Sequence, residues 1–241
     1  MKKLFFFPDT HIPFQDQRAL DLAMKARQYF KPDHTFILGD WCDFYSVSAH
    51  SKDPRRVNDL ETEVDACQTV LSDIGGLSDS KHFICGNHEQ RLERYLSDKA
   101  PALFGLVKIP RLLDLESKGW SYTPYGRAYR IGRLSVTHDC GNAGPFADQK
   151  SRDTFQGNVV IGHTHRMGVS YKGNAKGVGH VGAMFGWLGD VNHIDYMHRV
   201  KALEWQLGFG IGFLENDGTV RLQPCPIVNY KAEVMGRLLK G

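Results

Sequence analysis

The sequence has no apolar stretch long enough to cross a membrane, and it begins with two lysines and a four-residue apolar run rather than the apolar core of a secretory signal. It also lacks internal repeats, linkers and low-complexity tracts. Of its 241 residues, 41% are hydrophobic and 24% are charged, which excludes the composition of a disordered chain. These absences predict a cytoplasmic protein with one α/β domain over residues 1–241.

Cysteine is scarce and shows no pattern. The 5 cysteines are odd in number and include no C-x-x-C pair, so a disulfide framework is not expected. Cys42, Cys85 and Cys140 lie beside polar segments that are described below. Each is either a small buried apolar residue, which is the usual role of a free cysteine, or a thiolate ligand for a softer metal.

A strong net charge is also missing. The formal net charge is +3, well short of the basic footprint of a general nucleic-acid binder. We therefore expect no extended DNA binding, whereas a small nucleotide or the end of a nucleic acid is compatible with this charge.

The chain does contain five short polar segments, each placed where an apolar run ends. Their carboxylates, amide carbonyl and imidazoles suit Mn, Fe, Zn or Ni, and a bridging carboxylate allows two such ions to lie about 3.5–4 Å apart. This set of donors predicts a two-metal hydrolase. In chain order the segments are Asp9-Thr10-His11, Gly39-Asp40-Trp41-Cys42-Asp43, Gly86-Asn87-His88-Glu89, Thr137-His138-Asp139 and Gly162-His163-Thr164-His165.

Each polar segment follows a short run that is typical of a β-strand. Several of these runs are continuously apolar, as expected for strands buried on both faces, and open sheets gather ligands beyond the carboxyl ends of such strands. The i, i+2 spacing of Asp9 with His11, and of His163 with His165, would put each pair on one side of an extended chain. We therefore expect five strand ends to converge and one segment to hold a metal from two positions. The runs are residues 4–7, 36–38, 82–85, 134–136 and 159–161.

Helical patterns separate the early strands. Between residues 59 and 74, apolar residues recur at intervals of four and three, and Gly75-Gly76 supplies a C-terminal stop. A weaker stripe covers residues 19–30 and ends at Lys31-Pro32. The first ninety residues are therefore predicted to be βαβαβ. In the last third, glycine-rich branched and aromatic runs around an Asp217-Gly218 turn predict strands and hairpins.

Together, the five segments resemble the calcineurin-like metallophosphoesterases, whose pattern is D-x-H, G-D-x-x-D, G-N-H-E, a lone His and G-H-x-H. All five blocks occur here in order between Asp9 and His165. The glycine-rich last third is similar to that of family members from bacteria and phages. The resemblance implies an α/β fold, a four-layer sandwich of two mixed β-sheets flanked by helices.

The resemblance also implies a role for each matching residue. Asp40 would bridge two divalent ions, with Mn favoured and Fe, Ni, Zn or Mg as alternatives. His88 would be catalytic together with Asp40, by stabilising the transition state or protonating the leaving oxygen, and Asn87 and Arg91 would contact the substrate. One ion would be held by Asp9, His11, Asp40 and His165, and the other by Asp40, Asn87, His138 and His163.

Neighbours of these ligands have weaker assignments. Asp43 is expected to orient a ligand or cap a turn, with direct metal contact as the alternative, and Glu89 to hydrogen-bond a ligand. Asp139 stands where many members have glycine, and it is open whether it orients His138, binds a further cation or faces solvent. Four lone histidines are left outside the site: His82, His180, His193 and His198.

One departure from the family's best-known branch bears on the substrate. The protein serine/threonine phosphatases continue the second block with an arginine that grips phosphate, whereas Asp43 is followed here by Phe44-Tyr45. Arg91 is either a partial replacement for that clamp or a helix-surface arginine paired with Glu93 or Asp98.

Residues 91–132 lie between the third and fourth blocks and are predicted to be an insertion that shapes the substrate site. Their aromatic-basic run, residues 120–130, either stacks bases and contacts phosphates or is an amphipathic hairpin whose rings pack in the core. The sequence leaves open whether later aromatic residues wall the site, pack in a sheet or form an oligomer interface. They are Trp187, His193, Tyr196 and Trp205.

These features favour a phosphodiesterase that acts on a phosphorylated small molecule, a nucleotide or a nucleic-acid end, without a membrane partner. A phosphomonoesterase or an enzyme like the serine/threonine protein phosphatases is one alternative. A non-catalytic binding scaffold of the same fold is another, because a fold does not determine a function.

Overall fold

A computed structural model describes residues 1–49, 59–173, 175, 177, 179–193 and 204–241, so Tyr196 and His198 lie outside the described residues. Within these ranges no helix is long and apolar enough to cross a membrane. The helices are α1 (Gln17–Phe30), α2 (Leu60–Asp73), α3 (Asn87–Lys99), α4 (Ile109–Leu112) and α5 (Ala147–Phe155), with short 3₁₀ helices at Tyr45–Val47, Pro101–Leu103 and Val191–His193.

The strands form a six-stranded sheet, a five-stranded sheet and a two-stranded hairpin. In chain order they are β1 (Lys2–Phe7), β2 (His34–Ile37), β3 (Ser80–Ile84), β4 (Trp120–Thr123), β5 (Tyr129–Ile131), β6 (Leu134–Val136), β7 (Asn158–Ile161), β8 (Met167–Gly173), β9 (Gly179–Phe185), β10 (Gly208–Leu214), β11 (Val220–Pro226), β12 (Lys231–Val234) and β13 (Arg237–Lys240).

The first sheet has the order β11-β10-β1-β2-β3-β4. Strands β1 to β4 run parallel, whereas β10 is antiparallel to β1 and β11 is antiparallel to β10. Parallel neighbours need crossover connections, and α1 and α2 supply those between β1, β2 and β3. The predicted βαβαβ order is therefore confirmed. The predicted hairpin at Asp217-Gly218 is also present, between β10 and β11.

The second sheet has the order β5-β6-β7-β9-β8. Its central strands β6, β7 and β9 are parallel, and its edge strands β5 and β8 are antiparallel to their neighbours. Both sheets are therefore mixed. In each of them, the parallel strands that precede polar segments end on the same side, which brings those segments together.

An aspartate caps the start of each crossover helix. Asp16 accepts the backbone N–H of Ala19 at 3.0 Å, and Asp59 accepts that of Thr62 at 2.7 Å, so each carboxylate satisfies an N–H group that has no partner within its helix. α1 ends at Lys31, which has a left-handed backbone with a φ of 51°.

Three apolar clusters show how the layers stack. The largest lies between the first sheet and α1, α2 and α3. A second fills the space between the two sheets, where the ring of Phe6 lies 5.2 Å from those of Phe36 and Phe185. A third includes Ala147 of α5 and Met184 of the second sheet. The order of helices, sheet, sheet and helix confirms the predicted fold of two mixed sheets flanked by helices.

Residues 91–132 supply most of α3, all of α4 and the strands β4 and β5, which are edge strands of the first and second sheets. Three rings of the aromatic-basic run pack inward. Trp120 is buried, Tyr122 packs against the largest cluster, and the ring of Tyr129 lies 4.3 Å from that of His82. The inward packing matches the alternative in which the rings lie in the core, but the predicted hairpin is wrong, because β4 pairs with β3 and β5 pairs with β6 in a different sheet. The role of this segment in shaping a substrate site stays a prediction.

Candidate metal centre

The predicted ligands converge where β1, β2, β3, β6 and β7 end. The donor atoms of three groups lie within 4.8 Å of one another in each group, and Asp40 belongs to two of the groups. Asn87 joins them, because its Oδ1 lies 2.8 Å from His163 Nδ1. Two of the groups contain residues that the resemblance assigns to separate ions, whereas the third includes His88, to which it assigns a catalytic role. The groups are Asp9 with His11 and His165, Asp40 with His138 and His163, and Asp40 with His11 and His88.

The ligand segments lie beyond the strand ends and are not extended. His11, His163 and His165 have φ values of 55°, 68° and 56°, in the left-handed region that costs non-glycine residues about 1–3 kcal/mol each. The i, i+2 prediction holds for Asp9 and His11, which share a group. It is wrong for His163 and His165, which point into different groups because the left-handed backbone breaks the strand geometry between them.

Two glycines leave space that ligand side chains occupy. A Cβ on Gly86 would lie 2.1 Å from Asp40 Oδ1, and a Cβ on Gly39 would lie 2.5 Å from His138 Nδ1. Gly39 also has a φ of 98°, which favours glycine on backbone grounds. A larger residue at either position would displace a ligand, which gives a physical reason for glycine in the G-D and G-N pairs.

The lone pairs of Asp9, His11 and His165 face one another. His11 Nδ1 donates to Asp43 Oδ1 at 3.1 Å, which directs its Nε2 toward the other two residues, and Asp43 and Asp40 raise the pKa of His11 against the effect of burial. That Nε2 lies 3.0 Å from His165 Nε2, which lies 3.1 Å from Asp9 Oδ2. Asp9 Oδ2 is buried and makes no well-directed hydrogen bond within the described residues. Three donor atoms this close together around a buried carboxylate oxygen fit a bound cation.

A second set of lone pairs meets around His138. His138 Nδ1 donates to the Leu38 carbonyl at 2.8 Å, which leaves Nε2 facing Asn87 Oδ1 at 2.9 Å and Asp40 Oδ1 at 3.4 Å. Burial lowers the pKa of His138, but the charge of Asp40 and a hydrogen bond to it raise that pKa to about 10. The surroundings therefore favour a positive charge between these atoms, supplied by a proton or by a metal.

The chemistry of the donors fits two divalent ions. The set combines two carboxylates, one amide oxygen and four imidazoles, which are hard and borderline ligands. A histidine that binds metal usually donates its other N–H to a carboxylate or a carbonyl. His11 does so with Asp43, and His138 does so with Leu38. His165 departs from this pattern, because its Nδ1 is buried without a partner among the described residues.

His88 belongs to a network with Asp43 and Arg91 beside the cluster. His88 Nδ1 donates to Asp43 Oδ1 at 2.7 Å, and Arg91 Nη2 donates to His88 Nε2 at 2.7 Å. Arg91 Nη1 also donates to the Asp43 carbonyl at 2.9 Å. Arg91 thus turns toward the site, and the alternative of a surface ion pair with Glu93 or Asp98 is wrong. Burial lowers the pKa of His88, which favours its neutral ring.

Glu89 binds the backbone of a ligand segment and not a ligand side chain. Its Oε2 accepts the N–H groups of Asp40 at 3.0 Å and Gly86 at 2.7 Å, and its Oε1 accepts that of Cys42 at 2.9 Å. Burial, together with the negative charge of Asp40, raises the pKa of Glu89 to about 7. This one buried side chain ties the second polar segment to the start of α3.

Asp139 holds a tyrosine instead of its neighbour His138. Its Oδ2 accepts the Tyr125 hydroxyl at 2.9 Å, and its Oδ1 accepts the N–H of Gly141 at 2.5 Å. The ring of Tyr125 lies 6.3 Å from that of His138. Asp139 therefore fixes a half-buried phenol at the edge of the site, a pairing that no sequence spacing reveals.

Two tryptophans wall the ring of His165. The ring of Trp187 stacks on it at 5.0 Å with an interplanar angle of 16°, and Trp205 meets it edge-on at 4.1 Å. Gln206 fixes this wall, because its N–H donates to the His165 carbonyl at 3.0 Å and its carbonyl accepts from Trp187 at 3.1 Å. Of the alternatives that the sequence leaves open for these tryptophans, the structure supports a wall of the site.

The cysteines take the role of small apolar residues. Four of them are buried, Cys140 is half-buried, and all are free thiols. Burial raises the pKa of Cys42 and of Cys85 far above its usual value, which disfavours thiolates. Within the described ranges, no group of converging metal donors includes a cysteine.

Comparison with known proteins finds relatives of low identity. No protein-family model matches the chain. The Gene 54 proteins of Mycobacterium phage L5 and Mycobacterium phage D29 are each 28% identical to it over 262 residues, which cover 98% of this chain and 98% of the relative. Their names state no activity.

Three solved structures are also similar to the chain. A novel archaeal phosphodiesterase is 13% identical, with a TM-score of 0.44 over 92% of this chain and 98% of that one. A single mutant of Vps29 from Entamoeba histolytica is 12% identical, with a TM-score of 0.43 over 98% and 96% of the two chains. Yfce, a phosphoesterase from E. coli, is 15% identical, with a TM-score of 0.40 over 92% and 98%. At this level of similarity, the function has to be argued from the chain's own site.

Proposed function

We propose that this chain is a metal-dependent phosphoric ester hydrolase that uses water as the nucleophile and prefers phosphodiesters. One observation carries the proposal. Two groups of donors, all buried except the half-buried His163, meet at the shared carboxylate of Asp40, and the donor atoms of each group lie within 4.8 Å of one another. Two divalent ions, with Mn favoured, would occupy these groups.

The charge of such a centre suits a phosphate ester. Two divalent ions bring four positive charges, and of the seven proposed ligands only Asp9 and Asp40 are anionic. The excess positive charge attracts a phosphate group. Bound ions also supply Lewis acidity and lower the pKa of water, so the chain needs no nucleophile of its own.

His88 and Arg91 are the residues that would act on the substrate. Asp43 holds both of them, through His88 Nδ1 and through Arg91 Nη1. When Arg91 turns to a phosphate oxygen, it releases His88 Nε2, which can then exchange a proton with a reacting oxygen. Asn87 would contact the substrate from the start of α3.

The residues around Asp43 favour a phosphodiester over a phosphoprotein as the substrate. Phe44 is fully buried and Tyr45 nearly so, so the two positions directly after Asp43 present no cation. Of the described arginines, Arg91 alone hydrogen-bonds a residue of the ligand groups, namely His88. A single guanidinium suits the single negative charge of a diester. A monoester carries up to two charges and gains more from a second cation.

A non-catalytic scaffold remains the alternative of another class. Every proposed ligand and His88 is present, and four of the ligands, Asp40, His11, His163 and His165, have left-handed backbone that a scaffold would not need. This cost favours the enzyme.

The test is hydrolysis of bis-p-nitrophenyl phosphate and p-nitrophenyl phosphate by wild type, His88→Ala and His34→Gln, with Mn, Ni, Zn, Mg or a chelator. His34 is a control imidazole, since it lies at the start of β2 and its Nδ1 is 3.1 Å from His82 Nε2. We expect metal-dependent preference for the diester, loss of most turnover with retained metal in His88→Ala, and little change in His34→Gln. Preference for the monoester would make the chain a phosphomonoesterase. No turnover with any metal would favour the scaffold.

A further inference from the structure

A cleft of about 770 Å³ opens at the end of the second sheet opposite the metal centre. Residues at the amino ends of β6, β7 and β9 line it together with the start of β11, whereas the polar ligand segments follow the carboxyl ends of β6 and β7. Its volume is within the range of about 300–1,000 Å³ that is typical of small-molecule sites.

The charge of this cleft has one sign. Its described lining contains no aspartate and no glutamate. It does contain three arginines and one histidine: Arg130, Arg133, Arg221 and His180. By contrast, the whole chain has 27 acidic and 30 basic residues, so this lining differs from the average surface. A concave surface with cations and without carboxylates attracts anions.

Two of the three arginines form no direct ion pair, although Arg133 is close enough to Asp217 to contribute to the lowered pKa of that carboxyl. Arg221 Nε donates to Glu215 Oε1 at 2.9 Å, which balances its charge. Arg130 and Arg133 form no ion pair and no side-chain hydrogen bond within the described residues. The side chain of Arg133 lies over the turn at Gly218, where a Cβ would be 2.9 Å from its Cδ and Nε. Arg133 is therefore placed by packing and keeps its donors for a ligand.

Tyr171 adds an aromatic wall that is held in position. Its hydroxyl accepts the N–H of Leu222 at 3.4 Å and donates to the carbonyl of Leu222 at 3.5 Å, so the side chain spans from the second sheet to β11. Nevertheless, the residue is 63% exposed. An exposed ring with an anchored hydroxyl offers a surface for stacking a base.

We propose that this cleft binds a nucleoside phosphate, with the phosphate on Arg130 and Arg133 and the base against Tyr171. A free nucleotide and the terminal nucleotide of a nucleic-acid strand share this chemistry. The cleft offers three arginines on a chain with a net charge of only +3, which suits one nucleotide better than a long strand. The proposal does not depend on the chemistry at the metal centre.

The test is isothermal titration calorimetry on the full chain with ADP, inorganic pyrophosphate and a 5′-phosphorylated oligothymidylate. Arg130→Gln combined with Arg133→Gln should weaken binding of ADP by about tenfold or more, because two charge-assisted contacts are lost. Arg111→Gln combined with Arg237→Gln is the matched control, since it removes the same charge from exposed positions outside the cleft. Tyr171→Leu should weaken ADP binding and leave pyrophosphate binding unchanged.

Further variants show whether ADP binds at the cleft or at the metal centre, and whether a loss of binding is due to misfolding. Arg91→Gln should keep the cleft affinity. Arg130→Lys combined with Arg133→Lys keeps both charges and should stay within a few-fold of wild type. Tighter binding of ADP would identify the ligand as a free nucleotide, and tighter binding of the oligonucleotide would identify it as the end of a nucleic-acid strand. Either result supports the site. Equal affinity of the cleft variant and its control would overturn the proposal, as would loss of ADP binding only in Arg91→Gln. Pyrophosphate binding as tight as ADP binding would overturn the nucleoside part.

Discussion

His138 and His82 are both buried, but their surroundings give them opposite properties. His138, beyond the end of β6, lies 3.4 Å from a carboxylate oxygen of Asp40. His82, inside β3, lies 3.1 Å from His34 and 2.8 Å from the Ser121 hydroxyl. Asp40 raises the pKa of His138 to about 10 against the effect of burial, whereas burial and the neighbouring His34 lower the pKa of His82 to about 4.

Burial of a histidine is therefore not enough to produce a site that favours a bound cation. At the carboxyl ends of the strands, carboxylates and left-handed backbone turn imidazoles toward one another. At the amino end of the second sheet, the cleft contains arginines and no carboxylate among its described residues. The two ends of one sheet are therefore prepared for ligands of opposite charge, and variants at each end can break or sharpen the contrast.

The largest effect is expected from Asp40→Asn, because it removes the carboxylate that two donor groups of the described residues share. Changes to residues that only orient ligands already cost about 10–100-fold in metal affinity or activity, so loss of this ligand should exceed 100-fold in turnover. Both ions should be lost together, as measured by mass spectrometry of metals in purified protein supplied with Mn. Full metal content with normal turnover would show that Asp40 does not bridge.

Asp43→Asn tests the orienting role of a carboxylate that contacts histidines from outside the donor groups. It weakens the acceptor of His11 Nδ1 and His88 Nδ1, so Mn affinity should fall by about 10–100-fold while the fold is kept. Asp139→Asn is the control, since Asp139 binds Tyr125 and Gly141 and no proposed ligand. An equal loss of affinity in both variants would remove the special role of Asp43.

Gly86→Ala tests whether close packing holds the centre together. The new Cβ would lie 2.1 Å from Asp40 Oδ1, and overpacking of this kind costs about 1–3 kcal/mol in the free energy of unfolding. Gly105→Ala adds the same atom where nothing lies within 4 Å and should be nearly neutral. Urea unfolding with and without Mn measures both. A Gly86→Ala protein as stable as the control, with unchanged Mn binding, would contradict this geometry.

The smallest effect concerns His82 and the dependence of stability on pH. The pKa of His82 falls from 6.5 to about 4 in the folded chain, because burial and His34 disfavour its charged form. As the pH drops from 6.5 toward 4, the unfolded chain takes up a proton that the folded chain refuses, so stability declines. His82→Gln should make that decline shallower in urea unfolding at several pH values. An unchanged slope would show that His82 titrates normally.

The convergence of the proposed ligands could be predicted from the sequence, because each of them follows its strand within a few residues and carries its own local signal. Asp9 and Asp40 are examples, since in each case an apolar run indicates the strand and the polar residue follows the end of that strand. The direction of His163 could not be predicted from its spacing to His165, because left-handed backbone, and not strand geometry, sets it.

Contacts between residues that are far apart in the sequence could not be predicted, because no local sequence pattern marks them. The Leu38 carbonyl orients His138 across a separation of 100 residues, and Trp205 packs on His165 through tertiary contacts alone. The cleft is similar, because its arginines and Tyr171 come from different strands of two sheets and meet only in the folded chain.

The most direct test of the central claim is anomalous X-ray scattering from crystals of the wild-type chain grown with Mn. The account predicts two Mn peaks on either side of Asp40, one beside Asp9, His11 and His165 and one beside Asn87, His138 and His163. No peak at these residues, or a single peak that Asp40 does not contact, would contradict it.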